Sequence, residues 1–320
     1  MSRRKQPRLM RTIAAGLAVV IVAVGAMVVL RAGSGRAASP TPSAAPGASP
    51  SPLELHLAPG ATFVPALEGK RPIYILALGS DARPGQGIDA ERADSIHIIA
   101  YNPAAGRGTI LGIPRDSWVN IPGHVTDKIN ASLSDGGPAL TIKTVEALTG
   151  IKFDFYAITS FVGLTRMING LRGVNVQVTQ PMHDPLSHSN FNPGKHHLSG
   201  WEALAYARDR HSFLSGDLTR SANQGTLMLA ALTQFKKLFK NNPVQLLSIM
   251  ATTWANVRTD VPPATLYKLA LTASQVHPRN VTNLVVPATT GMEGAQSVVF
   301  ISSGAKALYA QLRRNGYIAR

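Results

Sequence analysis

Acid and arginine recur side by side along this chain: Asp81 with Arg83, Arg92 with Asp94, and Arg115 with Asp116. Further on come Lys128, then Arg208-Asp209-Arg210, then Asp217, Arg220 and Gln224. Carboxylates hold hard divalent cations, and arginine forks match phosphate oxygens. Together these residue types describe a pyrophosphate site with Mg²⁺ or Mn²⁺. Taken singly, each has an ordinary reading. Asp81 with Arg83 is a surface ion pair, Asp217 a helix cap, and Arg208 to Arg210 a solvated charge run. Their number, and their position at the ends of predicted elements, favours one shared site.

Spacing constrains how the second group is held. Arg208 and Arg210 are two apart. On a helix they would diverge by about 200°, whereas on an extended segment they share a face. If both serve one ligand, a helix starting at Trp201 must end near Ala207. Asp217, Arg220 and Gln224 stand at i, i+3 and i+7, so a helix from Asp217 carries them as one polar stripe, with Asn223 pointing away. The chain has no cysteine, which excludes disulfides and thiol catalysis. It has no Gly-x-Ser-x-Gly elbow and no Walker loop. What remains is transfer from a bound pyrophosphate to an incoming hydroxyl, where the protein supplies positioning and charge stabilisation.

The elements that must position these groups follow from hydrophobic pattern. Ile73–Leu78, Ser95–Tyr101 and Thr109–Ile113 are short apolar runs bounded by Gly, Pro or charge, and read as buried strands. A helical turn is expected at Asp127–Leu133, and a helix at Pro138–Leu148. Phe153–Ile158 and Val174–Val178 alternate as strands, with a helix over Phe161–Ile168 between them. Gln180–His197 reads as a polar loop. Its histidines, His183, His188, His196 and His197, match no metal-ligand spacing and read as solvated. Helices are expected over Trp201–Ala207, Asp217–Phe239, Pro243–Trp254, Pro263–Ser274 and Ala305–Arg313, and strands over Val281–Val286 and Val298–Ile301. The mixture predicts an α/β (α+β) domain, a central mixed sheet flanked by helices, without internal repeats.

The remaining question is compartment. A formal net charge of +15 favours a polyanionic partner. Arg3, Arg4, Lys5, Arg8 and Arg11 precede Thr12–Leu30, a run of 19 uncharged residues. That is close to the roughly 20 residues a helix needs to span a bilayer. The expected organisation is a cytoplasmic basic tail over 1–11 and a single-pass signal-anchor over 12–30. A disordered Pro/Ser/Ala linker over 31–52 and an extracytoplasmic domain over 53–320 follow. A cleaved signal peptide is the alternative. Outside the cytoplasm the basic charge has lipid phosphate or wall polymer to meet, not nucleic acid.

The motifs, taken in order, resemble the LytR-CpsA-Psr family of extracytoplasmic glycopolymer ligases. They are LGSDAR at Leu78–Arg83, RADS at Arg92–Ser95, PRDS at Pro114–Ser117, KINA at Lys128–Ala131, LSGWEALAYARDR at Leu198–Arg210 and GDLTR at Gly216–Arg220. The resemblance implies a metal-dependent transferase in cell-wall biogenesis, held at the cell membrane. It would move a glycopolymer from a polyprenyl-pyrophosphate carrier to a peptidoglycan sugar hydroxyl. Carried over, Asp81 and Asp94 hold the Mg²⁺ or Mn²⁺. Arg83, Arg92, Arg115, Lys128, Arg208, Arg210, Arg220 and Gln224 surround the pyrophosphate. Asp81, Arg92, Asp94, Arg115 and Asp217 form the catalytic group, with Asp217 orienting arginines or taking a proton. The lipid tail would enter an apolar tunnel, for which Val145, Phe161, Leu164, Met167 and Leu204 are candidates. The chain departs from the family pattern at Asn223, usually arginine, and at Asn169, usually acidic before the turn Gly170–Val174. The alternatives are a non-enzymatic anionic-polymer binder or regulator of the wall, and a hydrolase of lipid pyrophosphate.

Overall fold

A computed structural model of the chain describes residues 71–241 and 245–319. The expected tail, anchor and linker lie outside the described residues. Among the described residues, no helix is long and apolar enough to cross a membrane.

Strands β1 (Ile73–Ser80), β2 (Ala93–Asn102) and β3 (Arg107–Gly112) form an antiparallel meander from the three apolar runs. β1 is buried on both faces. Ile73, Ile75 and Ala77 enter one core layer, while Tyr74, Leu76 and Leu78 enter the other. A small hairpin follows, β4 (Trp118–Asn120) with β5 (Thr126–Lys128), and then helix α1 (Ala131–Thr149). This corrects the helical turn expected at Asp127–Leu133, because Lys128 ends a strand and the helix begins at Ala131. Pro138 was expected to start the helix. It lies inside α1 instead, just after non-helical backbone at Gly136 and Gly137.

Strand β6 (Phe155–Ser160), helix α2 (Phe161–Gly170) and strand β7 (Val174–Val178) come next. The segment expected as the loop Gln180–His197 is instead built of strands: β8 (Met182–Asp184), β9 (Ser189–Phe191) and most of β10 (Gly194–Leu198). Three-residue polar strands carry no alternation that a pattern can register. Pairing with a neighbour defines them, β8 with β9 and β10 with β7. Then come α3 (Gly200–Arg208), α4 (Asp217–Asn241), α5 (Gln245–Trp254), β11 (Val257–Thr259), α6 (Pro263–Gln275) and β12 (Val281–Val285). The described chain closes with β13 (Ala288–Glu293), β14 (Gln296–Ile301) and α7 (Ala305–Asn315).

The main sheet has the order β11-β6-β1-β2-β3-β12. It is mixed, since β1 with β6 and β3 with β12 are parallel and the other pairs antiparallel. One core layer joins the sheet to α2 through α6 and β7; the other joins it to α1 and α7. The α/β class with a central mixed sheet is as expected.

One core residue sets a pH limit on stability. His97 on β2 is fully buried between Ser95, whose Oγ lies 3.1 Å from Nδ1, and the Ser221 carbonyl, 3.1 Å from Nε2. Burial lowers its pKa from 6.5 to about 4, against a small opposing effect of the Ser221 carbonyl. The folded state therefore refuses a proton that the unfolded chain accepts. The stability is fully present above pH 6.5 and is lost as pH falls toward 4, on the order of 3 kcal/mol in all. Urea unfolding at pH 7 and pH 5 should show this loss, and a His97→Gln chain should show a flatter dependence. Equal slopes in the two chains would remove His97 as the cause.

Candidate active site

The acid–arginine clusters gather because they occupy neighbouring strand ends. Asp81 follows β1, and its N–H donates to the Arg92 carbonyl at 3.0 Å, just ahead of Asp94 on β2. β3 leads into Arg115. The Arg115 carbonyl accepts from Asn130 N–H at 3.2 Å and the Ser117 carbonyl from Ile129 N–H at 2.8 Å, which fixes the β5–α1 junction beside it.

The second group comes from α3 and α4. α3 starts in a capping box, Ser199 with Glu202, and ends at Arg208, one residue later than expected. Asp209 is extended, with φ −59° and ψ 126°. It is fully buried and its carboxylate accepts from Ser189 Oγ at 2.6 Å and Ser212 Oγ at 2.8 Å. The solvated charge run is thus corrected at its centre: Asp209 is a buried anchor. With Asp209 turned inward, Arg208 and Arg210 flank it on the cavity side. Arg208 also lies over the Phe161 ring, 4.9 Å from its centroid.

Gln224 ties the two groups together. Its Nε2 donates to the Asp94 carbonyl at 3.3 Å and to the Ala207 carbonyl at 3.2 Å, one from each half of the site. Asp94 also accepts a hydrogen bond from Arg115, and Asp217 one from Arg220. Arg115 Nε lies 3.8 Å from Asp116 and 3.9 Å from Asp217, and Lys128 Nζ lies 3.8 Å from Asp116.

Two cavities meet at this network. One, of about 310 Å³, has an apolar interior that includes Met167, Ile168, Leu171, Leu204, Leu227 and Met228. Arg83, Arg208, Arg220 and Gln224 line it. The other, of about 720 Å³, is polar and is lined by Arg92, Lys128 and Asp217. Asp81, Asp94, Arg115 and Arg210 line both. The eleven charged and polar residues to which the family resemblance gives a role therefore face one composite site. Of the tunnel candidates, Phe161, Leu164, Met167 and Leu204 line the apolar cavity. Val145 does not: it is buried in the opposite core layer, with α1 and α7. Helical periodicity identifies a buried face but not the side of the sheet it covers.

The electrostatics follow from burial. Burial raises the Asp81 carboxyl, and the nearby Asp94 charge adds to it, while Arg115, Arg83 and Arg208 pull it back. Burial raises Asp217 as well, with Arg220 opposing. Burial lowers Arg220. For Arg115, burial also works against the charge, yet Asp94 and Asp116 outweigh it and hold the guanidinium above its ordinary value.

Asp184 and His211 also line the apolar cavity, and neither was singled out. Asp184 is almost fully buried on β8, and its Oδ2 lies 3.0 Å from His211 Nδ1. Burial would raise it, but His211 and the N–H groups of Leu186, Arg210 and His211 hold it well below the usual carboxylate range. An isolated Asp before Pro185 gives no signal in sequence. Three of the four histidines of this segment are in local bonds: His183 with Asn190, His196 with the Asn192 carbonyl, and His197 with Asn175. Asn169 accepts from Gly200 N–H at 2.8 Å and so joins α2 to α3, a packing contact.

The LytR_cpsA_psr family model matches residues 48–314. The chain belongs to this family. It is 38% identical over 170 residues to the probable cell wall biosynthesis protein LcpB of Corynebacterium glutamicum, covering 49% of this chain and 41% of that protein. It is 35% identical over 178 residues to TagT of Bacillus subtilis, a polyisoprenyl-teichoic acid–peptidoglycan teichoic acid transferase, covering 53% and 55%. The chain thus spans about half the length of these relatives. The crystal structure of B. subtilis TagV superposes with a TM-score of 0.67 at 26% identity, covering 78% of this chain and 99% of TagV. The mixed sheet and helical layers are therefore the LytR-CpsA-Psr fold.

Proposed function

We propose that this LytR-CpsA-Psr protein is a membrane-anchored, metal-dependent phosphotransferase. It moves a glycopolymer from a polyprenyl-pyrophosphate carrier to a peptidoglycan sugar hydroxyl outside the cytoplasm. One observation carries the reading: a single cavity joins an apolar interior to a rim of five arginines, Arg83, Arg115, Arg208, Arg210 and Arg220. An isoprenoid chain needs the first part and its pyrophosphate the second. The teichoic acid transferase TagT as a relative supports the same class of reaction.

Asp81 and Asp94 fit a divalent cation. Among the described residues no group of three or more His, Cys, Asp or Glu converges, so protein alone does not complete a coordination shell. Two carboxylates beside a phosphate site suit Mg²⁺ or Mn²⁺, which take one or two carboxylates and fill the shell with phosphate oxygens and water. The mutual repulsion that helps raise Asp81 is the strain such an ion relieves. When bound, the ion neutralises charge that builds on the pyrophosphate. The residues do the rest. Arg208 and Arg210 grip phosphate oxygens from one side, and Arg115 and Arg220 from the other. Arg83, Arg92 and Lys128 supply further positive charge around them. Gln224 keeps the two halves in register. Asp217 orients Arg220 and offers its second oxygen, Oδ2, which is buried and has no hydrogen-bond partner, to the proton of the incoming hydroxyl.

The test uses the full chain in vesicles, a polyprenyl-pyrophosphate-linked glycan and peptidoglycan strands. Polyprenyl phosphate should be released as glycan joins the strands. EDTA should stop it and Mg²⁺ restore it. Asp94→Ala and Arg115→Ala should each lower the rate by about 10²-fold or more. Undiminished release by both variants would overturn the assignment.

A further inference from the structure

The two cavities differ in charge as well as polarity. The apolar cavity carries five arginines against three carboxylates, Asp81, Asp94 and Asp184. It suits an anion. In the polar cavity four cations, Arg92, Arg115, Lys128 and Arg210, meet four carboxylates, Asp81, Asp94, Asp116 and Asp217. Such a cavity attracts a phosphate less than the arginine-rich one does, and, away from the wall the two share, its many polar atoms suit a neutral ligand rich in hydrogen bonds.

The atoms left without partners say what kind. Asn130 is 2% exposed and Asp217 9% exposed. Asn130 Oδ1 and Asp217 Oδ2 are both buried without a hydrogen bond, and both residues line this cavity. An unpaired buried acceptor costs roughly 1–3 kcal/mol, so such atoms call for a donor from a ligand. Two unpaired acceptors in one cavity ask for O–H or N–H groups. The β13–β14 hairpin also lines the cavity and adds two hydroxyl residues, Thr290 and Ser297. The hairpin is pinned to the catalytic segment, because Val299 N–H donates to the Asp116 carbonyl at 2.9 Å.

We propose that this polar cavity, between the β5–α1 junction and the β13–β14 hairpin, is the subsite for the acceptor sugar. The inference rests on the transferase reading and deepens it. Carrier lipid and pyrophosphate occupy the apolar cavity and its arginine rim. The acceptor enters from the hairpin side, and the phosphorus bearing the glycan lies at the shared wall of Asp81, Asp94, Arg115 and Arg210. The acceptor oxygen forms a bond to that phosphorus, and the bond from phosphorus to the bridging oxygen breaks. Polyprenyl phosphate leaves with the bridging electrons, and the hydroxyl proton passes to Asp217 Oδ2. Asn130 Oδ1 accepts from a second sugar hydroxyl or acetamide N–H, which fixes the ring.

The experiment separates acceptor from donor. Full chains carrying Asn130→Leu, or Thr290→Val with Ser297→Ala, are assayed against a soluble peptidoglycan oligosaccharide at saturating carrier-linked glycan, and then the reverse. The expected result is a rise of about tenfold in the acceptor KM for each, the loss of one good hydrogen bond, with the donor KM unchanged. Thr290 and Ser297 are exposed, so the hairpin variant keeps the proposal testable if Asn130→Leu folds poorly. Unchanged acceptor KM in the hairpin variant and in a folded Asn130→Leu chain would overturn the subsite while leaving the transferase reading intact. A wild-type chain that releases no polyprenyl phosphate would overturn both.

Discussion

An Arg220→Ala chain is expected to lose transfer by about 10³-fold and to lose about 3–5 kcal/mol of stability at pH 7. Arg220 and Asp217 are 6% and 9% exposed and are paired at the first turn of α4. Removing the guanidinium leaves a buried carboxylate beside the like charge of Asp116, with only the more distant Arg115, 3.9 Å away, to offset it. The variant also has a signature that simple loss of packing lacks. Burial already raises Asp217, and without its partner the carboxyl rises further and takes up a proton. A carboxyl raised in the folded state favours folding at low pH, and that contribution disappears as pH climbs through its folded value. The deficit against wild type should therefore be large at pH 7 and shrink on acidification. Urea unfolding of both chains at pH 7 and pH 5 measures it. A deficit independent of pH would mean that Asp217 is not the group left stranded. Arg220→Lys keeps the charge without the fork and should recover stability better than transfer.

The second large effect is expected at an uncharged position outside the arginine cluster. At Gly200 an added Cβ would lie 2.1 Å from the Thr165 carbonyl oxygen and 2.9 Å from Asn169 Oδ1. The near obstacle is backbone, so Gly200→Ala must push α3 off α2. Overpacking costs about 1–3 kcal/mol and here should reach the upper end. For a domain of this size that lowers Tm by about 6–12 °C. The same shift widens the apolar cavity, since Leu164 and Met167 on α2 face Leu204 on α3 across it. A higher donor KM should accompany the lower Tm. Gly304→Ala is the control: at φ −59° and with nothing within 4 Å of its added Cβ, it should leave both unchanged. A Gly200→Ala chain that melts with wild type would show that the helices do not touch as described.

The site was more legible than the fold that builds it. Strands β1 to β3 announce themselves because both faces are buried and apolar residues are therefore continuous. The charges at their ends, and the i, i+3, i+7 stripe on α4, depend on local geometry alone. What sequence could not supply is anything decided by a distant partner. Asp209 looks like part of a charged run, and only Ser189 and Ser212 turn it inward. Asp184 has no motif around it; His211 and three backbone N–H groups make it a fixture of the cavity wall. The strands β8 and β9 exist by pairing, and Val145 was given the wrong layer because a buried face carries no address. Hairpin β13–β14 is half exposed and polar, so only its apolar end at Val298–Ile301 could be read.

The connectivity of the sheet has a consequence for how the protein comes to be. The meander β1–β2–β3 pairs within 40 residues of chain, and local contacts form early. It carries Asp81, Asp94 and Arg115. Arg220 and Gln224, by contrast, ride on α4, which packs on β12, and Asn283 of β12 donates to the Ala222 carbonyl at 2.9 Å. β12 itself pairs with β3 across more than 170 residues, Val281 opposite Gly108. A chain still being synthesised therefore holds the carboxylate half of the site long before the second arginine half can be fixed against it. The composite site is left incomplete until β12 docks beside β3. A fragment ending before β12 would lack the strand against which the helix bearing Arg220 and Gln224 is packed.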